Sequence, residues 1–184
     1  MTFLIRSTAI AAIAASAAVI LAFPAYGQTP QAGGHVHYAE PPAQQATSTG
    51  ALAPRLQNLG SHTFAVSTRN KQAQLFMNQG LNLAYAFNHA EARRAFREAA
   101  RLDPNLAMAY WGQSLVLGPN INALMEPNEE PNAFELVQKA LALKSKASAR
   151  EQAYIDALAQ RYSGVAADRK PRDQAYADAM RVVH

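Results

Sequence analysis

Residues 76–104 read FMNQGLNLAYAFNHAEARRAFREAARLDP, and their periodicity decides the fold. From Arg69 onward the pattern is helical. Leu75, Phe76, Gln79, Leu83 and Ala86 recur mainly at three- and four-residue steps, which is one face of a helix. Asn88-His89 interrupts that face. Ala92, Ala95, Phe96, Ala99 and Leu102 then begin a second one. Asp103-Pro104 stops it, because proline removes a ladder donor and pushes the residue before it out of the helical region. Two helices joined by a short turn predict a helical hairpin.

The hairpin recurs. Phe76 and Tyr110, Gly80 and Ser114, and Leu83 and Leu117 are each 34 residues apart. Between the second helices the offset is 41, from Ala92 to Ala133, Phe96 to Val137 and Ala99 to Ala140. The second hairpin is therefore expected to carry a seven-residue insertion between its helices. Its first helix is expected over 105–117. Residues 118–122 and 126–131 follow as loop, and helix resumes around Ala133. A third unit is fainter. Ala149 to Tyr162 reads as a helix with Tyr154, Ile155, Leu158 and Tyr162 on one side, ended by Ser163-Gly164. Pro171 fits the first turn of another helix. Ala175, Ala179 and Val182 form its expected inner face, and it is expected to be still running at His184.

A period of 34 is that of tetratricopeptide repeats, and the chain resembles that family. The matching set is Phe76, Gly80 and Leu83 on the first helix, then Ala92, Phe96 and Pro104. Gly80, Ala92 and Ala99 are small enough for close helix approach, while Phe76 and Phe96 fill space between hairpins. The resemblance covers Arg69 to about His184 and is most specific from Phe76 to Asn122. Residues 73–74, 78–81, 85–92, 107–112 and 118–122 look like an exported bacterial subgroup whose members are usually much longer. The expected fold is all-α, with antiparallel hairpins stacked as a short right-handed solenoid. The repeats fall at about 73–106, 107–146 and 147–184 within a domain spanning 67–184. An unclosed last helix predicts an N-terminal piece of a longer repeat protein or a truncated product, and suggests self-association through that helix.

The rest of the chain bounds the function. Residues 1–27 read as a secretory signal: Arg6, then an uncharged run from Ser7 to Ala22, then Ala25-Tyr26-Gly27 with cleavage expected before Gln28. Left uncleaved, the run would be the chain's one membrane contact. Residues 28–66 read as a linker. Up to about Leu52 it lacks the apolar surface to offset its chain entropy. Leu56, Leu59, Phe64 and Val66 suit an arm or turn covering the first repeat. The net charge is +4, and no Lys/Arg block tracks a phosphate backbone, so no nucleic-acid partner is expected. Without cysteine there is no disulfide, thiol chemistry or lipoprotein anchor.

The expected function is a scaffold, not an enzyme, that binds a protein or peptide. The resemblance implies a concave surface lined by the first helix of each pair. That places Gln74, Met77, Leu81 and Tyr85 on it from the first repeat, and Met108, Trp111 and Leu115 from the second. Trp111 reads equally as an interface anchor or as a core residue beside Tyr110. Met77 and Trp111 stand where some relatives carry basic residues for a terminal carboxylate, which argues for an apolar or aromatic groove. Asn120 and Asn122 are further partner-binding candidates in the long loop. With Glu126, Glu129 and Glu130 they offer oxygens, but the spacing matches no calcium loop, and a solvated acidic loop is expected.

His35 and His37, with Glu40 nearby, supply only two strong metal ligands, so no metal or cofactor is expected. The rival reading is a metal-dependent enzyme or metal-handling protein using His35, His37, His62 and His89. No His-Glu-x-x-His motif, phosphate loop or nucleophile elbow supports it.

Overall fold

The computed structural model describes residues 50–165 and 169–183. These belong to one compact unit, His35–His184; the other unit, Met1–Gly34, lies outside the described residues, as do the signal reading and His35, His37 and Glu40. Among the described residues the structure is all-α, with helices α1 (Lys71–Tyr85), α2 (His89–Leu102), α3 (Ala107–Leu115), α4 (Glu130–Ala142), α5 (Ala149–Ala159) and α6 (Lys170–Met180). None of them is long and apolar enough to cross a membrane.

Local chemistry sets the boundaries. Asn70 caps α1 by accepting the N–H groups of Gln72 and Ala73. Asn88, expected to break the pattern, does so as the N-cap of α2, accepting from Glu91 N–H. Between them the chain leaves α1 through a left-handed residue: Asn88 N–H donates to the Leu83 carbonyl at 2.9 Å and Phe87 N–H to that of Ala84 at 3.1 Å. This is a Schellman ending, which normally places glycine where Phe87 stands with φ 60°. Ser148 and Glu151 form a reciprocal capping box on α5. Pro131 and Pro171 occupy the first turns of α4 and α6, where a missing N–H costs nothing.

Close approach is built from glycine against phenylalanine. Phe96, fully buried, lies between α1 and α3. A Cβ added to Gly80 would sit 2.4 Å from its ring, and one added to Gly112 would sit 2.6 Å away. α1 packs against α2, α2 against α3 and α3 against α4, and the α1–α3 contact brings the first helices of the two hairpins together.

The second helices begin at His89 and Glu130, an offset of 41 that matches the side-chain pattern. Four details differ from expectation. α3 is shorter than 105–117, ending at Leu115: Pro119 cannot continue it, and Gly118 is pressed against Tyr162 and Arg161. α4 starts at Glu130, absorbing Pro131 that was assigned to the loop. α6 ends at Met180 with Arg181 as its cap instead of running to His184. Its inward residue is Tyr176, which packs on the core, whereas Val182 is 80% exposed.

Residues 50–70 lie along the helices as an arm that reaches beyond the expected stretch around Leu56 to Val66, and polar contacts hold it towards both of its ends. Leu52 N–H donates to Glu98 at 2.8 Å, and Arg94 donates to the Leu52 carbonyl at 3.1 Å. Gln79 accepts Leu56 N–H at 3.0 Å and donates to the Pro54 carbonyl at 2.9 Å. At its other end Thr68 donates to Asp103, and the Glu151 carboxylate accepts both the N–H and the hydroxyl of Ser67. Glu98 and Glu151 are buried, at 1% and 2% exposure, so these are anchors and not surface bonds.

Candidate functional site

The helices leave an open pocket of about 280 Å³ where α1, α3, α5 and α6 meet. α1 contributes Leu81, Ala84 and Tyr85, α3 contributes Trp111 and Leu115, and α5 and α6 contribute Tyr154, Tyr176 and Met180. Phe87, His89, Pro119, Asn120 and Arg161 also line it.

Trp111 is a core residue, one of its two expected readings, and it also reaches the pocket. The residue is only 6% exposed, yet it lines the pocket. The indole N–H donates to the Tyr154 carbonyl at 3.1 Å, and the two rings meet edge-on with centroids 5.9 Å apart. That satisfies the buried donor and fixes the ring. Tyr85, by contrast, is 78% exposed. Arg161 is occupied in holding the pocket's shape: it donates to the Pro119 carbonyl at 2.7 Å and to Asp173 at 3.3 Å, and lies 4.8 Å over the Tyr176 ring. Burial pushes the Tyr176 phenol above its usual range, with Arg161 acting against it. Nearby, burial pushes Tyr162 up to about 12, and its hydroxyl donates to the Ser114 carbonyl at 2.9 Å. Both phenols are neutral at ordinary pH, so they serve as rings and hydrogen-bonding groups, not as bases.

The nine candidate residues divide. Leu81, Tyr85, Trp111, Leu115 and Asn120 come together in the pocket. Met77 and Met108 do not, since both are fully buried, on sides of α1 and α3 that face the core. Gln74 is engaged by the arm, accepting Val66 N–H at 3.0 Å and donating to the Phe64 carbonyl at 2.8 Å. Asn122 is exposed in the loop and donates its N–H to Asn120 Oδ1 at 2.8 Å; Asn120 also accepts Ala123 N–H, so it braces the loop at the pocket's edge. Residue-by-residue reading missed Phe87, Tyr154, Arg161 and Tyr176 as pocket walls. The aromatic character of Tyr154 on the third unit's first helix was the available signal.

The loop is less solvated than expected. Glu130 is buried, accepts Ser163 N–H at 2.8 Å and pairs with Arg169. Glu129 accepts from Asn132 at 3.0 Å. His62 lies against Asn78 and Asn82 in a different pocket from His89, which stacks on Phe87 at 6.4 Å. Among the described residues no group of three or more His, Asp or Glu side chains is placed to hold a metal ion. The open pocket offers aromatic and aliphatic surface with a polar edge, which suits recognition by burial.

Compared with family models, curated proteins and solved structures, the chain matches none of them.

Proposed function

We propose that the chain is an exported scaffold of the tetratricopeptide type, its hairpins stacked as a short right-handed solenoid, that binds a protein or peptide partner through the pocket between α1, α3, α5 and α6. The observation that carries this reading is an exposed Tyr85 beside a fixed wall of Trp111 and Tyr154. Rigid aromatic anchors around a desolvated centre are where binding energy concentrates. Phe87 adds support. Its left-handed backbone costs about 1–2 kcal/mol relative to a right-handed one, yet it holds a half-exposed ring at the pocket's edge. Strain of that kind collects at functional sites. Wedging of Phe96 between Gly80 and Gly112 supports the stacked-repeat reading, and the run before Gln28 supports export.

Selection of peptides from a displayed library on the folded chain tests the proposal. Tyr85→Ser should weaken the selected peptides about tenfold or more, the loss of about 1.4 kcal/mol or more. Its circular dichroism should be unchanged, because Tyr85 is exposed. Selected peptides that bind Tyr85→Ser as well as they bind the native chain would contradict the reading.

A further inference from the structure

The arm does more than cover α1. Asn82 Nδ2 donates to the His62 carbonyl at 3.3 Å, Asn78 Oδ1 accepts Phe64 N–H at 3.1 Å, and Gln74 accepts from Val66 and donates to Phe64. Three side-chain amides at four-residue spacing thus grip the backbone of every second residue of the arm. The match is geometric. Four helical residues advance about 6 Å, and two extended residues about 6.6 Å. Side chains alternate accordingly: Phe64 and Val66 pack inward, while Ala65 and Ser67 are exposed.

Backbone contacts of this kind accept any sequence that can lie extended. Selectivity comes from Phe64, which meets Tyr154 edge-on at 5.7 Å beneath the Arg150 guanidinium, 4.7 Å from the ring. Tyr154 also meets Trp111 in the open pocket, so the filled and open parts share a wall.

We propose that α1 and α5 form a binding site for an extended polypeptide carrying one aromatic side chain, and that residues 62–68 are a strap filling this site until a partner's segment displaces them. The proposal deepens the scaffold reading and rests on it for the existence of a partner. A partner binding a site that is open only part of the time loses apparent affinity in proportion to the closed fraction.

The test uses a fluorescent synthetic peptide with the sequence of residues 61–69, added to the full chain. Phe64→Ala weakens the strap without altering α1 or α5. It should bind the peptide at least about tenfold tighter than the native chain does, and adding Asn78→Ala should remove that gain. Equal binding by the native chain and Phe64→Ala, or a gain that survives Asn78→Ala, would overturn the proposal. Hydrogen exchange on the native chain is independent of any variant's folding. The Phe64, Val66 and Ser67 amides should open together and more readily than those of 76–83, and equal protection would overturn the strap. Library peptides that depend on Tyr85, alongside a strap peptide that binds neither chain, would overturn the strap and leave the scaffold reading standing.

Discussion

Phe96→Ala is expected to destabilise the chain by about 3–5 kcal/mol, the cost of emptying a large buried aromatic site, measured as a lower urea midpoint at unchanged slope. The reason lies in what surrounds the ring. Gly80 and Gly112 lie on its two sides, closer than any Cβ could approach. The cavity would therefore be walled by backbone on two helices, which side-chain rearrangement cannot fill. The reverse change is equally informative. Gly80→Ala gains about 1 kcal/mol of helix propensity, but its methyl would sit 2.4 Å from the Phe96 ring. Overpacking of that kind typically costs about 1–3 kcal/mol, so a net loss is expected. Combined with Phe96→Leu, which makes room, Gly80→Ala should cost less than it does alone, a coupling of about 0.5–3 kcal/mol. Strict additivity of the two changes would mean that the glycine–phenylalanine contact does not hold the hairpins together.

The second large effect is expected at Glu151. Its carboxylate accepts the Ser67 N–H and hydroxyl and the Ser148 N–H, at once capping α5 and fastening the strap. Glu151→Ala removes the acceptor of the Ser67 N–H and one of the two acceptors of the Ser148 N–H, which keeps Ser67 Oγ at 3.1 Å; hydrogen bonds to a charged group contribute about 1.5–3 kcal/mol each. The pH dependence follows. Burial alone would raise this carboxyl's pKa, but the hydrogen bonds from Ser67 and Ser148 outweigh burial and hold it below its ordinary value of 4.5. Glu98 behaves likewise: burial opposes ionisation, and Arg101 with the Leu52 N–H overcomes it. A carboxyl lowered in the folded state contributes its full stability above its unfolded value and loses it as pH falls through the folded value. Stability should therefore hold above pH 4.5 and decline below it, with a shallower decline in Glu151→Gln. An identical acid profile in that variant would contradict the role given to Glu151.

Both effects bear on how the sequence relates to the structure. The first hairpin was legible because its signals are local: apolar period, Asn88 as a cap, and Asp103-Pro104 as a stop. The offset of 41 between second helices was legible for the same reason. The groove was only partly so. Met77 and Leu81 share a helical row, and period alone cannot say that Met77 is covered while Leu81 lines a pocket; the difference depends on where neighbouring helices pass. The strap was invisible in detail because α1 grips its backbone, which carries no sequence signature. The stripe of Gln74, Asn78 and Asn82 at four-residue steps was the one trace of it. Phe87 was not marked in advance, because a left-handed phenylalanine breaks the local rule that places glycine there. Burial of Glu130 depends on Arg169 and Ser163, more than thirty residues away.

The central claim is that the pocket beside Tyr85 receives a polypeptide. Nuclear magnetic resonance of the labelled full chain, titrated with a library-selected peptide, tests it most directly. The chain has one tryptophan, so the Trp111 indole N–H is a single reporter on the pocket wall. The account predicts that this signal shifts on binding, together with the Leu81, Tyr85 and Leu115 amides. Shifts confined to Ile121 and Leu124 in the long loop, with the Trp111 indole unmoved, would contradict it.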